Sequence, residues 1–334
     1  MRNTRFYYFW LLIIFIIFAV SFTFSTVQAQ NRASGKIHYI NYHDPVHYVW
    51  NKDIPPFLHI HSGDIIIAET RDASDGMQHR HSTLADINKR PAGHPLAGPI
   101  YIEEAGPGDV LEVKILNIEI GKWAYTLVRP KGGANPDIAK KPELVLWDLM
   151  GEYGQFKPGI VIPLQPFLGV MGVAWNETGE FTTGPPREYG GNLDNKYLTA
   201  GSTLYLPVQV AGALFSFGDA HGAQGDGEVG GSAIEAPATA TLQIAVRKDK
   251  KINGPEYETQ EYYGVTGLGT TLDSAFAQCI KHAVDYLVRK HGLTPEEAYM
   301  LCSVAVDFKI LEAVDKPNYL VGGHIPKRIF GPKR

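Results

Sequence analysis

Residues 212–235 read GALFSFGDAHGAQGDGEVGGSAIE, an apolar lead-in followed by a glycine-rich run carrying Asp219, His221, Asp226 and Glu228. Such a run cannot hold a regular helix, because each glycine costs about 1 kcal/mol against alanine there. It reads as a strand delivering its end into a tight loop, where glycine permits positive φ and close backbone approach. Four ionisable groups within ten positions repel one another or face solvent unless something gathers them. Carboxylate oxygen and imidazole nitrogen together suit a divalent cation. Against that stands a solvated surface turn, the commoner fate of an isolated Asp-x-His pair. The apolar strand ahead of the acids favours the cation, since sites tend to sit on loops mounted on rigid strands.

With 334 residues the chain can bury one large core or two modest ones. Its formal net charge of −4 gives no footing for a nucleic acid or an anionic membrane as partner. The 35 glycines and 22 prolines are spread evenly, which points to many short strands and turns.

The N-terminus has the make-up of an export segment. Arg2 and Arg5 precede an apolar stretch at residues 6–24, and Val27-Gln28-Ala29 resembles a small-x-small cleavage site. Residues 1–29 are therefore expected to be a signal peptide or an uncleaved N-terminal anchor, with one unit over 30–334. No second apolar run of membrane length follows, so membrane contact ends with that anchor. The expected location is periplasmic or extracellular. Cys279 and Cys302, both in helical-looking stretches, are open to either a disulfide or two buried free thiols.

Strand signals dominate the first 250 residues. Residues 36–42 and 63–70 look like strands, and residues 110–120 (VLEVKILNIEI) alternate strictly between apolar and polar. Residues 121–160 read as long surface connections with local strand pieces. The apolar run 160–176 suits buried strands, and residues 182–195 (TTGPPREYGGNLDN) form a loop by every local signal. Residues 201–217 hold two strands around a small-residue turn, and 238–247 give one more.

The period changes after Gly269. Residues 272–291 show helical spacing, with Asp273 as the expected N-cap partner and Gly292 as the stop. Thr294-Pro295-Glu296-Glu297 is a helix start, with the second helix running to about Phe308. The tail, with HIPKRIF, reads as an extended docked terminus. The fold class is α+β, mostly β: sandwich- or barrel-like strands followed by a C-terminal helical pair.

Several motifs then become recognisable together: GPIYIEEAGPGDVLEVKI, PFLGVMGVA, the long run PPREYGGNLDNKYLTAGSTLYLPVQVAGALFSFGDAHGAQGDGEVGGSAIEA, and GLTPEEAYMLCSVAVDFKI. They resemble the acetamidase/formamidase family over roughly residues 36–332. The resemblance implies a largely β fold, homo-oligomers, and hydrolysis of formamide- or acetamide-like amides to ammonia and a carboxylate with a divalent metal such as zinc. A family variant of the motif reads GEVCG; here residues 227–231 read GEVGG, so no cysteine nucleophile is available there. The export segment also departs from the cytoplasmic habit of such amidases.

On this reading Asp194, Asp219 and His221 are the metal candidates, with Asp72 to complete the set, and Glu228 is the general base. His61, Asp75 and Glu188 are candidates for substrate contacts. Each has a plainer alternative: Asp194 closing a turn, His221 a satisfied core histidine, Asp75 and Glu188 surface residues. Two other functions stay open, a hydrolase of a larger amide, lactam or ester, and an exported binding protein without chemistry. No strand-linked GxGxxG unit supports cofactor-dependent redox chemistry.

Overall fold

The structure is a computed structural model and describes residues 35–331. The expected signal or anchor at 1–29 lies outside the described residues. Strands Val110–Ile120 and Ala238–Arg247 form the longest ladder, antiparallel over ten pairs with one register shift. They sit within a nine-stranded sheet whose order is Ile37–Ile40, Ile65–Thr70, Ala238–Arg247, Val110–Ile120, Thr203–Pro207, Glu256–Glu258, Tyr262–Gly269, Tyr319–Pro326 and Asp307–Glu312.

A second sheet runs Pro186–Arg187, Gly190–Asn192, Phe167–Gly172, Phe215–His221, Leu96–Ile102 and Val46–His47, with Leu58–Ile60 added in parallel to Leu96–Ile102. The inward residues of both sheets share one core. Ile66, Ile115, Leu204 and Leu242 from the first meet Ile100, Leu168, Met171 and Phe215 from the second. Each such side chain contributes roughly 1.5–3 kcal/mol by leaving water. The α+β, mostly-β class read from the sequence, with sandwich- or barrel-like strands, is the fold class observed.

Residues 121–160 differ from the expectation of surface connections. Trp123–Val128, Glu143–Met150, Tyr153–Lys157 and Ile160–Pro163 make a four-stranded antiparallel meander. Its inner face packs Ala124, Trp147 and Leu149 on Ile234 and Ala236, while Met150, Tyr153 and Val161 stay exposed. The Lys/Pro/Gly content masked this alternation. Within the run 160–176, expected to be buried, Phe167–Gly172 is buried but Ile160–Pro163 is mostly exposed, as the outer strand of the meander.

Helix α1 spans Leu272–His291 and α2 spans Pro295–Ala305. Thr271, and not Asp273, is the N-cap of α1: its hydroxyl accepts from the Ser274 N–H in a reciprocal capping box. Gly292 ends it at φ 69, in the left-handed region. Helix α2 starts with the Thr294–Glu297 capping box, as the sequence suggests. It stops at Ala305, short of Phe308, because Asp307–Glu312 leaves to pair with Tyr319–Pro326.

That last strand is an inner strand of the nine-stranded sheet, not a docked extended tail. Helix α1 lies against Gly267, where an added Cβ would stand 2.2 Å from the Cys279 amide nitrogen. Cys279 and Cys302 are free and buried in this helical core. Among the described residues no helix is long and apolar enough to cross a membrane.

Candidate active site

Asp219 and His221 lie within the strand Phe215–His221, not in the loop after it. Every residue of that strand is buried between Phe167–Gly172 and Leu96–Ile102. Residues two apart face the same side of a strand, so the carboxylate and the imidazole share one face. The ladder to Phe167–Gly172 omits Gly169 opposite Asp219, where Asp219 takes φ 56.

Two further acids reach the same face from turns. Asp194 follows the strand Gly190–Asn192 at φ 39, its amide donating to the Gly169 carbonyl at 3.2 Å. Glu228 sits at φ 44 in the glycine loop, whose Gly227 amide donates to the Leu311 carbonyl at 3.0 Å. Positive φ is uncommon outside glycine, and strained backbone of this kind clusters at functional sites.

These four residues come together with two acids that sequence reasoning missed. Asp194, Asp219 and His221 form one group whose ligand atoms all lie within 4.8 Å. His221, Glu228 and Glu235 form a second such group, and Asp194, Glu228 and Asp315 a third. His221 Nε2 stands 3.0 Å from Glu235 Oε2 and 3.4 Å from Asp219 Oδ2. His94 approaches from outside, Nε2 at 3.8 Å from Asp219 Oδ2. The residues surround a chamber of about 80 Å³, with Tyr125, Leu127, Ser74, Arg90 and Arg129 among its other walls.

Glu235 closes the same glycine-rich run that carries His221, so its position was a signal that could have been used. It is held by the Ala233 amide, which donates to Oε1 at 2.8 Å, and by a bridge pairing it with His221. Asp315 carries no local signal: it sits in AVDKPN, which reads as a turn. The Asn192 side-chain amide donates to its carboxylate at 2.6 Å.

The electrostatics are those of an excess of buried acid. Burial, then the Glu228 charge, pushes the Asp194 carboxyl well above its usual range. Burial does the same to Glu228, with Glu235, Asp315 and Asp219 adding to it, and burial raises Asp315. Asp219 goes the other way: although buried, it is drawn down to about 2 by His94 and His221. Burial works against the His221 imidazolium, but Glu235 and Asp219 outweigh it and raise the ring well above its ordinary value.

Among the described residues no hydrogen bond reaches either carboxylate oxygen of Asp194 or Oδ1 of Asp219, all of them buried. Buried polar atoms are otherwise nearly always paired, and buried charges without a counter-charge are expensive. A cation answers both. The carboxylate oxygens and imidazole nitrogen here suit a divalent ion, so the residues fit the metal expected from the sequence.

The remaining candidates fall elsewhere. Asp72 is buried, but its carboxylate accepts from the Ser74 amide at 2.9 Å, the Ser74 hydroxyl and the Gly76 amide at 3.0 Å. Those bonds hold the loop whose Ala73 and Ser74 line the chamber. Asp75 is engaged by Arg71 at 2.8 Å and the Tyr48 hydroxyl at 2.6 Å. His61 is exposed and paired with Glu104 at 2.9 Å, and Glu188 is exposed. Neither lines the chamber. Asp226 accepts from the Tyr197 hydroxyl at 3.0 Å and faces Lys196. Arg187 stacks on Trp175, its carbon 4.4 Å from the ring centre.

The model of the acetamidase/formamidase family matches residues 36–179 and 175–332. The chain belongs to that family. A formamidase from Methylophilus methylotrophus is 27% identical, the match covering 85% of this chain and 89% of that one. An acetamidase structure from Bacillus halodurans superposes with a TM-score of 0.82 at 33% identity, covering 88% of this chain and 98% of that chain. A gamma lactamase from Delftia acidovorans is more distant, at TM-score 0.62 and 25% identity, over 87% of this chain and 92% of that one. Membership in the acetamidase/formamidase family makes this chain a hydrolase acting on the carbon–nitrogen bond of linear amides.

Proposed function

We propose that the chain hydrolyses a small amide of the formamide or acetamide kind to ammonia and a carboxylate. The observation that carries this reading is the set of buried carboxylate oxygens without hydrogen bonds gathered around one imidazole. Asp194, Asp219 and His221 would hold a divalent cation, zinc being the ion expected. When bound, such an ion lowers the pKa of water toward 7 and polarises a carbonyl.

The chain's own groups supply the rest. Glu228 takes the proton from the attacking water as its oxygen bonds to the amide carbon. It then returns that proton to nitrogen as the C–N bond breaks and ammonia leaves. Its raised pKa makes it a stronger base than a solvated carboxylate. The chamber of about 80 Å³ favours a short acyl group, and Tyr125 and Leu127 help keep bulk water out. Ammonia release from formamide and acetamide, read beside the cation content of the same preparation, tests this reading.

The likeness to the gamma lactamase favours a second reading, a cyclic amide as substrate. A lactam series assayed beside open-chain amides separates the two. Arg2, Arg5 and the apolar stretch 6–24 support export of an enzyme formed by residues 30–334, which cell fractionation tests. Exposed apolar residues such as Met150, Val161 and Val229 support assembly into a homo-oligomer, which light scattering measures.

A further inference from the structure

We propose that Gln224 is a positioning residue that fixes the His221 tautomer and the Asp194 backbone at once, so that His221 offers Nε2 to the cation. The proposal rests on the chamber being a cation site. A backbone carbonyl oxygen can only accept a hydrogen bond. The Asp194 backbone carbonyl receives a hydrogen bond from the Gln224 side-chain nitrogen at 2.7 Å. That bond decides which end of the carboxamide points which way.

Oε1 of Gln224 then faces Nδ1 of His221, 3.0 Å away. A carboxamide oxygen has no hydrogen to give, so Nδ1 is the nitrogen that carries one. With the opposite tautomer two acceptors would face each other at that distance. Nε2 is the nitrogen that faces Asp219 and Glu235, so it is the one that would present its lone pair to a cation taking the place of its proton between those acids. The Phe167 ring, edge-on at 5.0 Å, holds the imidazole plane.

Gln224 also protects a ligand oxygen. Without it, the Nδ1 hydrogen has Asp194 Oδ1 as its next acceptor, 3.7 Å away. A hydrogen bond there would withdraw from the cation one of the oxygens that is otherwise unsatisfied. The carboxamide thus sets the ring and keeps Asp194 available, and partners of this kind typically alter metal affinity 10–100-fold.

Two variants separate these roles. Gln224→Met keeps the length and loses both hydrogen bonds; Gln224→Glu keeps an acceptor for Nδ1 and loses the donor to Asp194. The measurements are zinc affinity by chelator competition, ¹⁵N shifts of His221 in the zinc-loaded protein, and the melting curve as a check on folding. Wild type and Gln224→Glu are expected to show a protonated Nδ1. Gln224→Met is expected to bind zinc at least about tenfold more weakly, with Gln224→Glu in between. A folded Gln224→Met that binds zinc as wild type does would overturn the proposal and leave the cation site standing. A wild-type spectrum with hydrogen on Nε2 would overturn it even if Gln224→Met fails to fold. Wild-type protein that takes up no zinc would sink the cation reading together with it.

Discussion

The α-carbon of Gly169 faces the Asp194 carboxylate so closely that an added Cβ would stand 2.6 Å from Oδ1. The same Cβ would meet Asp219 Oδ2 at 2.9 Å and the Asp219 carbonyl at 3.1 Å. Glycine is needed here for the space it leaves, and that space lets two carboxylates converge over one strand. Gly169→Ala should therefore displace both acids while leaving the surrounding sandwich folded. Misplacement on the order of 1 Å can cost about 10²-fold. The expected result is a loss of turnover of that size with a parallel loss of bound cation, read by amide hydrolysis and elemental analysis.

Glu228→Gln separates chemistry from binding. The amide keeps the size of the side chain and cannot take a proton from water. Turnover should fall by roughly 10²–10⁴-fold. Cation content should stay near wild type, because Asp194, Asp219 and His221 are intact. A variant that keeps its turnover would remove Glu228 from the mechanism.

The ion-free protein should become less stable as pH rises. Burial holds the Asp194 and Glu228 carboxyls above their usual range, so the folded chain binds protons that the unfolded chain releases. Stability from these groups is complete below the ordinary carboxylate value near 4 and is lost above it. His221, raised by Glu235 and Asp219 in spite of burial, has the same sign. Above pH 6.5, where the His324 contribution is complete, the melting temperature of chelated protein should fall by at least about 3 °C up to pH 8. Added zinc should flatten that slope.

His324 works in the opposite direction. Burial, helped by Lys309, lowers its pKa from 6.5 to about 4. The neutral ring stacks on Tyr262 with centroids 4.0 Å apart and sits 2.7 Å from the Tyr257 hydroxyl. Its contribution is present above 6.5 and is lost as pH falls through that value toward 4. At about 1.36 kcal/mol per pH unit the loss approaches roughly 3 kcal/mol. His324→Gln should flatten the acid side of the melting profile relative to wild type.

The cysteines give a simple check on the helical core. Burial pushes the Cys279 thiol well up and the Cys302 thiol to about 11. Neither should react with a thiol reagent in the folded chain, and both should react once it is unfolded.

Elements with a clean period were legible in the sequence. Alternation in residues 110–120 and 238–247 and the Thr294-Pro295 start stand in the structure where they were read. The meander at 123–163 was hidden because its lysines, prolines and glycines break the alternation between short strands. In the site, the glycine-rich run drew attention to Asp219, His221 and Glu228 because acids without nearby cations stand out in sequence. Asp315 did not stand out, since a long-range approach of the 312–315 turn brings it in. Asp72 shows the converse case: a buried acid at a strand end whose carboxylate accepts hydrogen bonds from its own loop.

The proposed mechanism needs Asp194, Asp219 and His221 to hold one cation without which the amide is not cleaved. Its most direct test measures zinc content and ammonia release from acetamide on the same samples: wild type as purified, after chelation, after zinc is restored, and Asp219→Asn. The expected result is about one ion per chain, loss of activity on chelation, recovery with zinc, and loss of both quantities in Asp219→Asn. Full-rate hydrolysis by protein stripped of metal would contradict it.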